Sequence, residues 1–422
     1  MKTYLFPGQG SQVKGMGSSL FDVFPKLTQK ADKLLGYSIK DLCLKNKDNQ
    51  LNQTQYTQPA LYVVNALSYQ QKLQASGDKP DFVAGHSLGE YNALEAAGAI
   101  SFEVGLKLVK KRGELMSQSA QGAMAAILEM TASDIQQCLD DNGLTSIDIA
   151  NYNAPSQIVI SGLREDINQA QTYFEKAGGL FIPLNTSGAF HSRSMETAKT
   201  QFEKYVKKFK FSKLDIPVIS NVHAKPYQRN EIVSNLAEQI THSVKWLQSI
   251  QYLLEQGEMA FEELGVGDVL TKLVATIQAD FIAVKQAAKN RKDEKKVEQP
   301  KAEEIVKAEP IEQHQQTVAE PIESVQQLAS HRPVDTDAAS PQIAETDPKM
   351  AHEKEIETLH KRIAAWNNTY PIGTHVTVAG YEEELETRTL AMVLFGHRAA
   401  IYMKGYNGYF ALDEVTPAGE YA

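Results

Sequence analysis

Short apolar runs alternate with amphipathic stretches through the first two thirds of the chain. Tyr4–Phe6 and Asp81–Ala84 have the length and composition of buried strands, and Glu90–Ala97 has the pattern of a helix. Alternation of this kind is typical of an α/β fold with a mainly parallel sheet. We therefore predict an α/β core with a mainly parallel sheet within residues 1–285.

One segment of this region has a different rhythm. The pattern predicts, in chain order, strand 123–129, helix 132–141, strands 147–152 and 157–161, helix 165–176 and strand 180–184. The order β-α-β-β-α-β is that of a ferredoxin-like unit. We expect a small subdomain of this type to be inserted at about 122–187, with a ligand-binding cleft between it and the core.

The composition changes after about residue 280. No aromatic residue occurs between Phe281 and Trp366, while Lys, Glu, Gln, Ala and scattered prolines dominate. Such a segment buries too little apolar surface to offset its conformational entropy. The sequence therefore predicts a disordered linker over 286–350.

The remaining residues, 351–422, have a pattern of their own. Helix 353–366 is followed by short strand-like runs at 374–378, 387–395, 399–403 and 409–412, with Gly405–Gly408 as a tight turn. We predict a small, mostly antiparallel, barrel-like β module of unknown role.

Bulk properties exclude several classes of protein. The 422 residues include only two cysteines, Cys43 and Cys138, so neither a disulfide framework nor a paired metal-binding spacing is expected, and we predict no metal site. The formal charge of −9 argues against a general nucleic-acid binder. No signal-peptide core or long apolar run is present, so we expect a cytoplasmic protein that does not enter membranes.

The clearest chemical signal is the pentapeptide Gly85–Gly89, with the pattern G-x-S-x-G and Ser87 at its centre. A strand precedes it and a helix follows it, which is the context of a nucleophile elbow. The flanking glycines allow a sharp turn without Cβ clashes, and the helix N-terminus adds positive potential. We predict that Ser87 is a nucleophile.

A serine nucleophile needs a base. Of the ten histidines, His191 directly follows the last strand of the inserted subdomain, where the chain returns across the predicted cleft. The pattern alone leaves His86, His223 and His242 as alternatives to it.

A second glycine-rich element, Phe6–Gln12, ends the first strand. Its glycines allow backbone amides to approach a ligand closely, as an oxyanion hole requires. A phosphate-binding loop is the alternative, although the Gly-Lys-Ser/Thr ending and the G-x-G-x-x-G spacing are both missing.

Five ordered motifs now resemble a known family. They are Phe6–Gln12, Gly85–Tyr91, Lys111–Met116, Asn151–Pro155 and Gly188–Ser192. Over roughly residues 1–285 the chain is similar to malonyl-CoA:acyl-carrier-protein transacylases, and especially to the discrete acyltransferases that serve polyketide synthases. The resemblance implies an α/β-hydrolase-like core, a coenzyme A thioester as substrate, an acyl carrier protein as acceptor and no bound cofactor.

The resemblance also implies roles for individual residues. Ser87 would carry the acyl group and His191 would be the general base. The backbone amides of Gln9 and Leu88 would form the oxyanion hole. A main-chain carbonyl would orient the histidine, and the matching position is expected at Lys245.

The same resemblance implies how the substrate is selected. Arg112 would bind the malonyl carboxylate through two parallel donors, and Met116 would line the pocket one helical turn later. Phe190 would narrow the site toward malonyl over methylmalonyl groups. His86 and Asn153 complete the substrate-binding set.

Two alternatives to transacylation remain at this point. An acyl hydrolase of the same fold would clear stalled acyl groups from carrier proteins, but such relatives tend to lack the arginine. A docking protein would use the C-terminal module to recruit a partner, such as a polyketide synthase component.

Overall fold

A computed structural model describes residues 1–118, 122–228, 230–297, 348–378, 381, 383–394, 398–404 and 409–418. The strands in the first 297 residues are β1 (Lys2–Phe6), β2 (Phe82–Gly85), β3 (Gly122–Leu128), β4 (Asp148–Ala154), β5 (Gln157–Leu163), β6 (Leu180–Pro183), β7 (Val218–Ile219) and β8 (Ala260–Glu263). The helices there are α1 (Leu20–Val23), α2 (Pro25–Leu35), α3 (Ile39–Lys45), α4 (Thr54–Ser76), α5 (Gly89–Ala96), α6 (Phe102–Ser117), α7 (Ala132–Asp141), α8 (Arg164–Lys176), α9 (Glu196–Val206), α10 (Ile232–Glu238), α11 (Trp246–Glu255) and α12 (Val269–Val297).

A parallel sheet of order β7-β2-β1-β8 forms the centre of the first region. Tyr4, Leu5 and Phe6 of β1 are fully buried, as expected for a strand covered on both faces by helices. Helix α4 is buried along most of its length and packs against α5 and α6. The predicted α/β core with a mainly parallel sheet is confirmed.

The inserted segment forms a second sheet of order β4-β5-β3-β6, with antiparallel pairs. Its element order is the predicted β-α-β-β-α-β, and it has an apolar core of its own. Strand β4 is tied to the larger core by the backbone, because the amide of Tyr152 donates to Val244 O and the amide of Val244 donates to Ala150 O.

Helix α12 extends to Val297, which is beyond the predicted domain boundary at residue 285. Residues 286–297 therefore continue a helix instead of beginning the linker. The rest of the predicted linker, up to residue 347, lies outside the described residues.

The C-terminal elements are α13 (Pro348–Thr369), β9 (His375–Val378), β10 (Leu385–Glu386), β11 (Met392–Leu394), β12 (Arg398–Tyr402), β13 (Tyr409–Ala411) and β14 (Val415–Pro417). They form two three-stranded antiparallel sheets, β10-β9-β14 and β11-β12-β13. The predicted turn at 405–408 lies outside the described residues.

The strand predicted over 387–395 is wrong in its extent, because within that range the described residues form a strand only at Met392–Leu394 (β11), and β10 ends before it at Glu386. The side chain of Asn367 on α13 forms hydrogen bonds with both backbone groups of Ala391, just before β11 begins. It accepts from the amide at 2.7 Å and donates to the carbonyl oxygen at 2.8 Å. A tertiary contact thus interrupts a run with strand propensity.

In the ranges described, no helix is long and apolar enough to cross a membrane.

Candidate active site

Ser87 lies on the sharp turn between β2 and α5 and has a positive φ of 49°. Such a backbone is uncommon for a residue with a Cβ and is often found where chemistry requires it. The turn is also tightly packed. A Cβ on Gly85 would come within 1.9 Å of the Gly89 backbone, and one on Gly89 within 2.0 Å of Phe6 O. These contacts explain why glycine stands on both sides of the serine.

His191 is the histidine that reaches this serine. Its Nε2 atom is 2.8 Å from Ser87 Oγ, and its Nδ1 atom is 2.7 Å from the carbonyl oxygen of Gln239. Because a carbonyl only accepts hydrogen bonds, Nδ1 must carry the proton, and Nε2 is left to accept from the serine. His191 also has a positive φ, 58°, so both groups of the pair are held in a left-handed conformation.

The imidazole is almost fully buried, with 4% of its surface exposed. Burial lowers the pKa of His191 to about 3, with a further lowering from the positive charge of Arg112. Both causes keep the ring neutral at physiological pH, which is the state that a general base requires.

The expectation that Lys245 orients the histidine is wrong. The carbonyl of Lys245 precedes α11 and accepts a hydrogen bond from the amide of Ser249, 3.0 Å away. It therefore belongs to the start of that helix, and the carbonyl of Gln239 takes the orienting position.

The glycine-rich loop after β1 lies directly against the elbow. The amide of His86 donates to Phe6 O at 3.0 Å, and a Cβ on Gly8 would approach His86 O to 2.3 Å. Within the described part of the chain, the backbone amides of Gln9 and Leu88 donate no hydrogen bond. Two free amides beside a serine nucleophile are what an oxyanion hole needs.

Arg112 enters the site from α6 with only 1% of its surface exposed. Its Nη2 atom donates to Ser87 Oγ and to the side-chain Oε1 of Gln239, each at 3.0 Å. Burial lowers the pKa of this guanidinium, but an arginine starts so high that it stays charged. A buried positive charge therefore stands beside the serine hydroxyl.

The other predicted residues surround this centre at different distances from it. Met116 and Phe190 are buried in the same apolar cluster, and the sulfur of Met116 is 3.6 Å from Nε2 of Gln58. His86 contacts Asn153 of the insert, with 2.8 Å between Nε2 and Oδ1. This last pair joins the inserted sheet to the elbow.

Three polar residues of the site were missed by sequence reasoning. Asn221 accepts from the amide of Ser87 at 2.7 Å and donates to Gly85 O at 2.7 Å. Gln239 and Glu90 extend the same network. Glu90 directly follows the G-x-S-x-G motif, so a carboxylate beside the nucleophile could have been predicted from the sequence. Asn221 and Gln239 belong to no motif, and the sequence does not distinguish them from other polar residues.

Comparison with known proteins identifies the family of the chain. The model of the acyl transferase domain family matches residues 3–301, which defines the class of protein as an acyl transferase. The polyketide biosynthesis malonyl CoA-acyl carrier protein transacylase BaeC of Bacillus velezensis is 60% identical over 280 residues, which cover 66% of this chain and 97% of BaeC.

Solved structures give the same result. The malonyl CoA-acyl carrier protein transacylase of Burkholderia pseudomallei is 51% identical with a TM-score of 0.65, over 66% of this chain and 98% of that one. A malonyl-transacylase solved in complex with a type II polyketide synthase acyl-carrier protein is 33% identical with a TM-score of 0.63, over 65% and 92%. The chain therefore belongs to the malonyl-CoA:acyl-carrier-protein transacylase family.

Proposed function

We propose that this enzyme transfers a malonyl group from coenzyme A to the phosphopantetheine thiol of an acyl carrier protein, through a malonyl-serine intermediate, in polyketide or fatty-acid biosynthesis. One observation carries the proposal: the same hydroxyl oxygen, Ser87 Oγ, lies 2.8 Å from a neutral imidazole and 3.0 Å from a buried guanidinium. The first group activates a nucleophile, and the second recognises a carboxylate.

In the first half-reaction, Nε2 of His191 takes the proton of Ser87 as the serine oxygen attacks the thioester carbonyl. The amides of Gln9 and Leu88 stabilise the oxyanion that develops. When the tetrahedral intermediate collapses, the carbon–sulfur bond breaks and the imidazolium returns its proton to the departing coenzyme A thiol. The product is an ester between the malonyl group and Ser87.

The second half-reaction runs through the same groups in reverse. His191 takes the proton of the carrier-protein thiol, and the sulfur attacks the ester carbonyl. The carbon–oxygen bond breaks, and the proton returns to Ser87. The carbonyl of Gln239 keeps the imidazole in the required tautomer throughout both halves.

Arg112 is assigned to the free carboxylate of the malonyl group. A buried guanidinium beside the nucleophile offers charge-assisted hydrogen bonds that an acetyl group cannot use. Phe190 and Met116 are assigned to the wall of the acyl pocket. His86 and Asn153 are assigned to substrate binding, because their contact joins the inserted sheet to the nucleophile elbow.

An acyl hydrolase would form the same acyl-serine but release it to water. Arg112 is the feature against that function, since it selects a carboxylated donor group. The test is to load the enzyme with malonyl-CoA and then add a phosphopantetheinylated carrier protein. Rapid transfer with slow hydrolysis supports the transacylase, and release of free malonate at the same rate with and without carrier protein contradicts it.

We further propose that residues 1–285 form the transferase domain, that a linker follows the end of α12, and that residues 351–422 form a β-rich module that recruits a synthase component. The support is the abrupt change in composition and an apolar cluster that residues of α13 and the C-terminal strands form among themselves. The experiment that tests this proposal is deletion of residues 298–422, which leaves helix α12 complete. Unaltered transfer to every native carrier protein in a mixture with the full synthase would contradict a recruiting role.

We expect the enzyme to act in the cytoplasm.

A further inference from the structure

Glu90 is a carboxylate with no place in the mechanism above, although it lies three residues after the nucleophile. It is in the first turn of α5 and is fully buried. An ionised carboxylate without compensation is expensive to bury. Its donors are neutral: the hydroxyl of Tyr227, the backbone amide of Asn221 at 3.1 Å and the side-chain amide of Gln239.

The contact with Gln239 is the one that links Glu90 to the active site, because Gln239 forms hydrogen bonds with Ser87, His191 and Arg112. Its Nε2 atom donates to Glu90 and to the carbonyl oxygen of Ser87, the latter at 2.9 Å. Its Oε1 atom accepts from Arg112 at 3.0 Å, and its backbone carbonyl accepts from His191 at 2.7 Å. One glutamine thus connects the nucleophile, the base and the carboxylate-binding cation.

A side-chain amide can occupy the same space in two orientations that exchange its nitrogen and oxygen. In the exchanged orientation, Oε1 of Gln239 would face the carboxylate of Glu90 and the carbonyl of Ser87, while the NH2 group would face the guanidinium. Each of these contacts would join two acceptors or two donors. The carboxylate of Glu90, together with the carbonyl of Ser87, therefore favours the orientation in which Oε1 is presented to Arg112.

We infer that Glu90 is a positioning residue that fixes the Gln239 amide and, through it, holds the Arg112 guanidinium beside Ser87 for recognition of the acyl carboxylate. The inference rests on the proposed function, since it assigns a selectivity role to a neighbour of Arg112. The side-chain amide of Gln239 lies between the positive guanidinium of Arg112 and the negative carboxylate of Glu90, so the amide dipole is aligned favourably with both charges. Burial raises the pKa of Glu90 to about 7 despite the opposing effects of its hydrogen bonds and of the charge of Arg112. The carboxylate is therefore mainly ionised above that pH.

The test is Glu90→Gln, which keeps the volume and removes the charge. The new NH2 group can face Gln239 only if the Gln239 amide turns over, which withdraws Oε1 from Arg112. We expect the ratio of kcat/KM for malonyl-CoA to kcat/KM for acetyl-CoA to fall about tenfold, or about 1.4 kcal/mol. The change should be mainly a higher KM for malonyl-CoA.

Tyr227→Phe is the matched control, because it removes a donor to Glu90 and leaves the Gln239 contact in place. We expect its malonyl-to-acetyl ratio to stay within about twofold of the native value. A purely structural role for Glu90 would lower the activity with both thioesters equally, and such a result would overturn the inference.

Glu90→Asp gives a second variant in case Glu90→Gln yields little folded protein. The shorter carboxylate cannot reach Gln239 in the same geometry, so the same loss of selectivity is expected. If neither variant folds, Glu90 is a structural group and the inference is wrong. A native enzyme that does not accept malonyl groups contradicts the proposed function instead, so the two failures are distinguishable.

Discussion

Replacing Arg112 with alanine removes the only cation that the structure places against Ser87 Oγ among the described residues. A charge-assisted hydrogen bond to a carboxylate contributes about 1.5–3 kcal/mol. At 1.4 kcal/mol per factor of ten, kcat/KM for malonyl-CoA should fall by roughly ten- to a hundredfold. Because an acetyl group has no free carboxylate, it makes no such contact with Arg112, and kcat/KM for acetyl-CoA should fall much less.

The assay measures the rate of enzyme acylation by malonyl-CoA and by acetyl-CoA for the native protein and for Arg112→Ala. Lys111→Ala is the matched control, because Lys111 is on the same helix and has the same charge but pairs with Glu114 near the surface, at 3.5 Å. We expect the malonyl-to-acetyl ratio to fall only in Arg112→Ala. An unchanged ratio in that variant would refute the assignment of Arg112 to the malonyl carboxylate.

Two further results are expected. Because burial and the charge of Arg112 lower the pKa of His191 to about 3, kcat/KM for acylation by acetyl-CoA, which has no carboxylate for Arg112 to bind, should show no loss as pH falls through 6.5, the ordinary histidine range. The loss should begin only closer to the lowered value, and in Arg112→Ala the acid limb should move to higher pH. A native profile with half-maximal rate near pH 6.5 would contradict a buried neutral base. The second result concerns the strained turn: since Ser87 has a φ of 49°, Ser87→Gly should be more stable than Ser87→Ala by roughly 0.5–1 kcal/mol, the balance of left-handed strain against the greater freedom of unfolded glycine. Urea denaturation of the two inactive variants measures this difference, and equal midpoints would show that the turn is not strained.

Local sequence signals were sufficient for the main elements of the fold. The strand before Gly85 and the helix after Gly89 are read from neighbouring residues, and the hairpin at Asn153 is marked by turn residues. The strand predicted over 387–395 failed because its interruption depends on Asn367, a residue on a helix that is distant in the sequence. Propensity cannot report such a contact.

The site shows the same division. Ser87 is found from its pentapeptide, and the family resemblance singled out His191, which is the histidine that lies 2.8 Å from it. The orienting carbonyl was assigned to Lys245 instead of Gln239, because every residue has a carbonyl and only the path of the backbone decides which one faces the imidazole. Glu90 was passed over because acidic residues are ordinary in the first turn of a helix.

The central claim is that one serine carries the malonyl group between two thiols. The most direct measurement is the intact mass of the protein after mixing with malonyl-CoA, compared with acetyl-CoA and methylmalonyl-CoA. The account predicts a malonyl adduct on the native protein, loss of that adduct in Ser87→Ala, and its removal when a phosphopantetheinylated carrier protein is added. A malonyl adduct that persists in Ser87→Ala would contradict it.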